Sequence, residues 1–228
     1  MRPRNYQNSE RINMDVSFWL ERWEKNDIGF HENETNPALI KYFKELSLAK
    51  GRRVFLPLCG KTLDIAWLLS NGYRIAGAEL SEMAIEQLFV GLRVKPKISE
   101  LGLVNHYSAE NIDIFVGDIF NVSIKMLGAV DAIYDRAALV ALPKDMRQQY
   151  TAHLMEITNK APQLLLSFEY DQNVMEGPPF SVSKEEVHQH YKDSYQLTLL
   201  AATNISGGLK GKCPAKENVW RLQKKMTY

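Results

Sequence analysis

Two residues with the chemistry of a nucleoside site stand at the ends of predicted strands. Gly60 lies in a turn directly after the apolar run 53–58, and Glu79 ends the next run, 74–80. A glycine turn lets backbone N–H groups approach a ligand, and a carboxylate about 20 residues further on can accept both hydroxyls of an adenosine ribose. A plain strand-to-helix turn and a surface glutamate explain each residue separately, so only the combination favours a nucleoside.

Two more pairs of residues follow later strands. Asp118 and Ile119 come after the third strand and can bracket an adenine, with the carboxylate bonding its amine, although an ordinary turn aspartate has the same sequence. Asp135 and Arg136 end the fourth strand. A guanidinium there presents a planar fork of donors to an anion or to an electron-rich sulfur or oxygen. The alternative for this pair is an internal ion pair that stabilises the strand end.

Alternating strand and helix patterns must position these residues. Such alternation predicts βαβ units in a parallel sheet, and the short link between the last two strands predicts an antiparallel ending. Ligands bind outside the carboxyl ends of the strands in such sheets, where all the candidate residues lie. Residues 94–111 are polar and broken, which predicts a loop. The predicted strands are 53–58, 74–80, 112–116, 130–135, 163–169, 197–203 and 218–222.

The segment before the first strand is rich in aromatic residues. Trp19 and Trp23 have helical spacing, and Phe30 follows a predicted break, so Phe30 is the better candidate for a ligand contact. Together they predict a helical lid; the alternative is simple packing of the helix against the core, which is favoured for Trp19. Residues 1–13 are polar and aperiodic, which predicts a disordered arm ahead of one domain at 14–228.

Composition excludes several classes of protein. The net charge of +1 over 228 residues gives no basic excess for nucleic acid, and no apolar run reaches the roughly 18 residues of a membrane span. The absence of a signal peptide and the presence of only two cysteines, Cys59 and Cys213, predict a cytoplasmic protein with free thiols. No dinucleotide fingerprint and no metal-ligand spacing of histidines are present. No base accompanies Cys59, which argues against a nucleophilic cysteine.

Several co-linear motifs resemble those of one family, the bacterial thiopurine S-methyltransferases. The resemblance covers about Met14 to Lys225, and its markers are FWLERWEKNDIGFHE, FLPLCGKTLDIAWLLSNGY, GAELSE, GDIF, YDRAALVALP and GPPFSV. It implies a Rossmann-like class I methyltransferase fold, with a mostly parallel seven-stranded sheet, helices on both faces and an N-terminal helical lid. It also implies S-adenosyl-L-methionine as the methyl donor. Residues 1–13 extend ahead of the usual start of the family.

The same resemblance implies roles for individual residues. Arg136 would steady an acceptor thiolate, while Asp135 would orient Arg136 or take a proton through water. No metal is implied. The implied cofactor contacts are Trp23, Leu58, Glu79, Asp118, Ile119 and Arg136, and the implied substrate contacts are Phe30 and Arg136.

Two alternative functions remain open at this stage. The first is a methyltransferase whose acceptor is a small inorganic anion, such as selenite or tellurite, or a small thiol other than a thiopurine. It stays open because acceptor choice depends on the shape of the pocket. The second is a non-catalytic module that binds S-adenosylmethionine, which would have no need of Arg136 at the acceptor edge. In every case we expect a monomer whose partner is a small molecule, without a nucleic acid or membrane partner.

Overall fold

The computed structural model describes residues 16–225, and all nine of its strands belong to one sheet. The prediction for residues 1–13 lies outside the described range. The strands are β1 (Arg53–Leu56), β2 (Arg74–Glu79), β3 (Lys97–Leu101), β4 (Val104–Ala109), β5 (Ile112–Val116), β6 (Ala132–Asp135), β7 (Gln163–Tyr170), β8 (Tyr195–Asn204) and β9 (Ala215–Lys224).

Seven helices accompany the sheet within the described residues. They are α1 (16–24), α2 (Pro37–Tyr42), α3 (Asp64–Ser70), α4 (Glu82–Leu92), α5 (Ile124–Leu127), α6 (Lys144–Ile157) and α7 (Lys184–Tyr191). Short 3₁₀ helices cover Phe43–Leu46, Ile119–Asn121 and Leu139–Ala141. None of the described helices is long and apolar enough to cross a membrane.

The strand order is β3-β4-β5-β2-β1-β6-β7-β9-β8. Strands β5, β2, β1, β6 and β7 run parallel to one another. On one side of them β4 pairs antiparallel with β5 and β3 with β4, and on the other side β9 pairs antiparallel with β7 and β8 with β9. The order reverses at β1, which lies between β2 and β6. A crevice therefore opens at the carboxyl ends of these central strands, because the connections leave β1 and β6 in opposite directions.

Helices cover both faces of the sheet, which explains why the central strands are apolar throughout. On β1, Val54 and Leu56 pack into one buried cluster with residues of α2, α3 and α4. Phe55 points to the opposite face and packs with residues of α5, α6 and α7. The α/β class, the mostly parallel core and the antiparallel ending are therefore confirmed, and so are all seven predicted strands.

The prediction of a loop over residues 94–111 is wrong. These residues form the hairpin β3–β4, which extends the seven predicted strands to nine. Gly102 has a φ of +66° in the two-residue turn, a position that suits glycine. The polar composition misled the prediction because β3 is an edge strand with much of its surface exposed.

Two helix ends are set by local contacts. Helix α3 begins at Asp64, and the Thr62 hydroxyl accepts a 3.3 Å bond from the Asp64 N–H. Helix α2 ends at Tyr42 and continues as a 3₁₀ turn.

Candidate active site

A single cavity of about 710 Å³ opens at the carboxyl ends of β1, β2, β5 and β6. Its volume lies within the range of about 300–1,000 Å³ that small-molecule sites occupy. Most of its exposed lining is apolar, with a few charged side chains between. Every candidate contact residue borders it, namely Trp23, Phe30, Leu58, Glu79, Asp118, Ile119 and Arg136. The structure thus brings together residues that lie up to 113 positions apart in the chain, from Trp23 to Arg136.

The turn after β1 forms one wall of the cavity in an unusual backbone conformation. Leu58 has a φ of +46° and Gly60 a φ of +51°. The left-handed region costs an ordinary side chain free energy, and such strain concentrates at ligand-binding sites. A Cβ on Gly60 would lie 3.1 Å from Cζ2 of Trp23, so the glycine also lets the indole pack against the turn.

The Glu79 carboxylate is held in place by this turn. Its Oε2 accepts a hydrogen bond of 2.7 Å from the Gly60 N–H, and its Oε1 accepts one of 2.9 Å from the Ser81 N–H. Burial raises the pKa of this carboxyl, while the two N–H groups favour its ionised form. A carboxylate has about four acceptor positions, so two remain for a ligand. Glu79 therefore forms a fixed acceptor for paired hydroxyl groups.

Asp118 and Ile119 follow β5 on the same side of the cavity. Asp118 Oδ1 accepts a bond of 3.0 Å from the Phe120 N–H and so caps the short 3₁₀ helix, while Ile119 is buried. Among the hydrogen bonds of residues 16–225, none uses Asp118 Oδ2. The pair supplies one free carboxylate oxygen beside an aliphatic wall, a combination that suits the edge and the face of an adenine.

Arg136 enters the cavity directly after β6 and pairs with a residue that the sequence analysis missed. Its Nη2 lies 2.5 Å from Oε1 of Glu32, and the side chains are 14% and 45% exposed respectively. Ala137 follows with a φ of +61°, so a second strand end also carries a left-handed residue. The only signal for Glu32 in the sequence is its closeness to Phe30, which gives no reason to choose it over Glu34.

Asp135 faces away from the cavity, although it was expected to act there. The side chain is fully buried, and its carboxylate accepts bonds of 3.1 Å from the Leu139 N–H and 2.8 Å from the Tyr150 hydroxyl. Burial raises the pKa of Asp135 to about 6. Neither the expected orientation of Arg136 by Asp135 nor the alternative internal ion pair is present, because Arg136 pairs with Glu32 instead. Asp135 anchors the turn that follows β6.

Aromatic side chains before the sheet cover the cavity. Phe30 makes edge contacts with Trp19 and Trp23, at centroid distances of 5.6 and 5.4 Å. The expected helical lid therefore corresponds to α1 and the segment that follows it. His31 borders the cavity too, and burial, together with Lys61 and Arg136, lowers the pKa of its imidazole.

Two loops form a further part of the cavity wall. Pro178 and Pro179 border the cavity, as does Lys210 in the β8–β9 loop. The Lys210 ammonium donates a bond of 2.7 Å to the carbonyl of Pro178, and the Tyr170 hydroxyl donates one of 2.7 Å to that of Pro179. Phe180 does not border the cavity, because it packs under Arg147.

Cysteine chemistry finds no support at this site. The Cys59 thiol is buried, and burial together with Glu79 raises its pKa well above the usual value, so that it stays protonated. Within residues 16–225, no group of three histidine, cysteine, aspartate or glutamate side chains is arranged to hold a metal ion.

The family model described as thiopurine S-methyltransferase matches residues 14–225. The chain belongs to the thiopurine S-methyltransferase family. It is 52% identical to the thiopurine S-methyltransferase of Xanthobacter autotrophicus over 92% of this chain and all of the relative. It is also 52% identical to that of Teredinibacter turnerae, over 94% of this chain and all of the relative. The expected family is thus confirmed for this methyltransferase.

Solved structures support the fold of the methyltransferase. A Burkholderia thailandensis 1,6-didemethyltoxoflavin-N1-methyltransferase, solved with S-adenosylhomocysteine, matches with a TM-score of 0.64 at 15% identity, over 98% of this chain and 93% of that one. An S-adenosylmethionine-dependent methyltransferase from Anabaena variabilis matches with a TM-score of 0.61 at 14% identity, over 91% and 95%. At such identities the likeness concerns the fold, and it confirms the class I methyltransferase architecture.

Proposed function

We propose that this enzyme transfers the methyl group of S-adenosyl-L-methionine to the sulfur of thiopurines and related aromatic or heterocyclic thiols. The observation that carries the proposal is that Glu79, which can hold a ribose, and Arg136, which can hold an anionic sulfur, border one cavity. A module that only binds the nucleoside would not need the guanidinium. The family membership supports the same activity.

The residues around the β1 turn fit the nucleoside half of the donor. Glu79 would hold the ribose hydroxyls with its two remaining acceptor positions, and Asp118 with Ile119 would hold the adenine. Trp23 and Leu58 would contact the remainder of the molecule, with Arg136 at the border between donor and acceptor. When bound, the donor supplies an activated methyl group on a sulfonium. The protein then has to orient and desolvate the acceptor.

The other half of the cavity fits a flat aromatic acceptor. Phe30, Pro178 and Pro179 all border the cavity. Their apolar surfaces exclude water, which strengthens the interaction of Arg136 with an anionic acceptor sulfur. Asp135 has no direct part in this step, because its carboxylate is fully buried behind the cavity wall.

We further propose a cellular location, an oligomeric state and a domain organisation for the enzyme. Its location is cytoplasmic, which two buried cysteines without a disulfide support. It acts as a monomer on a small molecule, and a net charge of +1 supports the absence of a nucleic acid partner. One methyltransferase domain at 14–228 is supported by the single continuous sheet.

The test is transfer of a labelled methyl group to 6-mercaptopurine, measured beside selenite, tellurite and simple thiols. We expect 6-mercaptopurine and aromatic thiols to give the highest kcat/KM. Preferential methylation of selenite or tellurite would overturn the assigned acceptor class. Binding of S-adenosylhomocysteine without transfer to any acceptor would indicate a non-catalytic module.

A further inference from the structure

Glu217 is a charged residue of the cavity wall that no part of the proposed mechanism uses. It lies on β9 and pairs in register with Phe168 of β7, which borders the same cavity. The side chain is half-buried. Nothing in the sequence distinguishes Glu217 from the other charged residues of β9, and only the closing of β9 against β7 brings it to the site.

The Glu217 carboxylate has no bonded partner among the described residues. None of the hydrogen bonds or ion pairs formed within residues 16–225 involves it. Each of the other carboxylates of the wall has at least one partner: Glu79 and Asp118 accept from backbone N–H groups, Glu32 pairs with Arg136, Asp27 pairs with Arg22, and Asp64 accepts from the Asn36 N–H and the Tyr134 hydroxyl. A half-buried carboxylate that faces a cavity without a donor is free to bond a proton of the ligand.

Glu217 stands close to the groups that would hold the acceptor. Burial raises the pKa of its carboxyl, the Glu32 charge raises it further, and Arg136 opposes both. The titratable side chains of the cavity wall also include Lys210, Lys212 and His31. The elevated pKa makes this carboxylate a stronger base than an exposed glutamate. Its interaction with the charge of Arg136 shows that it lies near the group that would bind the acceptor sulfur.

We propose that Glu217 is the catalytic residue that accepts the proton of a thiol acceptor. This inference rests on the proposed function. An electron pair of the acceptor sulfur forms the new sulfur–carbon bond, and the bond between the methyl carbon and the sulfonium breaks, leaving its electron pair on the donor sulfur. The S–H proton passes to the Glu217 carboxylate and then to solvent, so that charge and atoms balance. An acceptor that is already a thiolate has no need of this transfer.

His31 is the rival base on the same wall, and the surroundings shift the pKa values of the two groups in opposite directions. A proton on His31 creates a positive charge in a desolvated place beside Lys61 and Arg136, which is why the pKa of His31 is lowered. A proton on Glu217 removes a half-buried negative charge and the repulsion with Glu32, against the opposing effect of Arg136. Relative to the same groups in water, proton uptake is opposed at His31 and assisted at Glu217, and the variants of both residues decide between them.

The experiment compares two acceptors at neutral pH. Benzyl thiol keeps its proton there, because alkyl thiols have pKa values near 8.5 as in cysteine. A thiophenol with a para nitro group is already a thiolate. For Glu217→Gln we expect kcat with benzyl thiol to fall by at least about tenfold, and kcat with the nitrothiophenol to change by less than about twofold. Glu217→Asp should recover part of the loss.

Three further measurements make the result decisive. The acidic limb of the kcat profile with benzyl thiol should disappear in Glu217→Gln. Glu34→Gln, which removes an exposed carboxylate near the same segment as Glu32, should behave as the parent does with both acceptors. Equal losses with the two acceptors, or a selective loss in His31→Gln in place of Glu217→Gln, would overturn the inference. If the parent enzyme methylates neither acceptor nor 6-mercaptopurine, the proposed function itself fails.

Discussion

Arg136 and Glu32 form an ion pair across the cavity mouth, with 2.5 Å between Nη2 and Oε1. Glu32 belongs to the segment that follows the aromatic helix α1, while Arg136 directly follows the central strand β6. The pair therefore connects the lid segment to the sheet. Glu32 contacts Nη2, and the other donors of the planar guanidinium can bind an anionic acceptor.

The first prediction concerns Arg136→Lys. Lysine keeps the charge but loses the planar fork, so it cannot hold Glu32 and an acceptor sulfur in the same geometry. We expect kcat to fall by about tenfold or more, which corresponds to a loss of about 1.36 kcal/mol in transition-state stabilisation. The measurement is turnover of 6-mercaptopurine at saturating donor, with Arg136→Ala beside it. Parental turnover in both variants would reduce Arg136 to a structural partner of Glu32.

The second prediction concerns Glu79. Glu79→Ala removes the acceptor that is fixed by the N–H groups of Gly60 and Ser81. We expect affinity for S-adenosylhomocysteine to fall by roughly 1.5–3 kcal/mol, the range for hydrogen bonds to charged groups. Calorimetry measures this directly, and Glu86→Gln on the exposed side of α4 is the matched control. Unchanged affinity in Glu79→Ala would show that the ribose is held elsewhere.

Residues that follow strands were predictable from the sequence because parallel strands end at one edge of the sheet. That rule alone brings Leu58, Glu79, Asp118 and Arg136 to one cavity, and the structure agrees. It carries no information on side-chain direction, which is why Asp135 was expected beside Arg136 in the site. Alternate residues of a strand point to opposite faces, so the two neighbours diverge.

Other parts of the site depend on tertiary contacts that no local pattern encodes. Glu32 reaches Arg136 across more than 100 residues of chain, and Glu217 reaches the cavity through the pairing of β9 with β7. The hairpin β3–β4 was missed for a related reason. Its outer strand β3 is polar because it forms an edge of the sheet, and a search for buried apolar runs does not find such a strand.

A third prediction uses the burial of Asp135 to set a pH dependence of stability. Its pKa is raised from 3.8 to about 6 in the folded protein, so the folded state binds the proton more tightly than the unfolded one does. This contribution to stability is fully present below the unfolded pKa and is lost as the pH rises through about 6. The asparagine side chain of the Asp135→Asn variant does not titrate. We expect the melting temperature of the parent, relative to that of Asp135→Asn, to decrease between pH 4 and pH 6 and to level off above. Parallel melting profiles across this range would contradict the assignment.

The last prediction concerns Gly77, which lies in β2 under the turn that carries Cys59 and Gly60. A Cβ at Gly77 would lie 2.7 Å from Cδ1 of Ile114 and 2.9 Å from Sγ of Cys59. Both distances are too short for packed atoms, and both neighbours are buried, so Gly77→Ala must displace one of them. We expect a loss of roughly 1–3 kcal/mol in the free energy of unfolding, as for other overpacked cores. A shift of Cys59 also moves the Gly60 N–H away from Glu79, so the affinity for S-adenosylhomocysteine should fall as well.

Gly91→Ala in α4 is the control, because no atom lies within 4 Å of its added Cβ. For Gly91→Ala we expect the free energy of unfolding to rise by about 0.4–1 kcal/mol or to stay unchanged, since alanine restricts the unfolded chain. Urea unfolding of both variants with calorimetry of the ligand tests the two effects together. Gly77→Ala with the stability and affinity of the parent would show that the Cys59 turn is not fixed by its packing on β2.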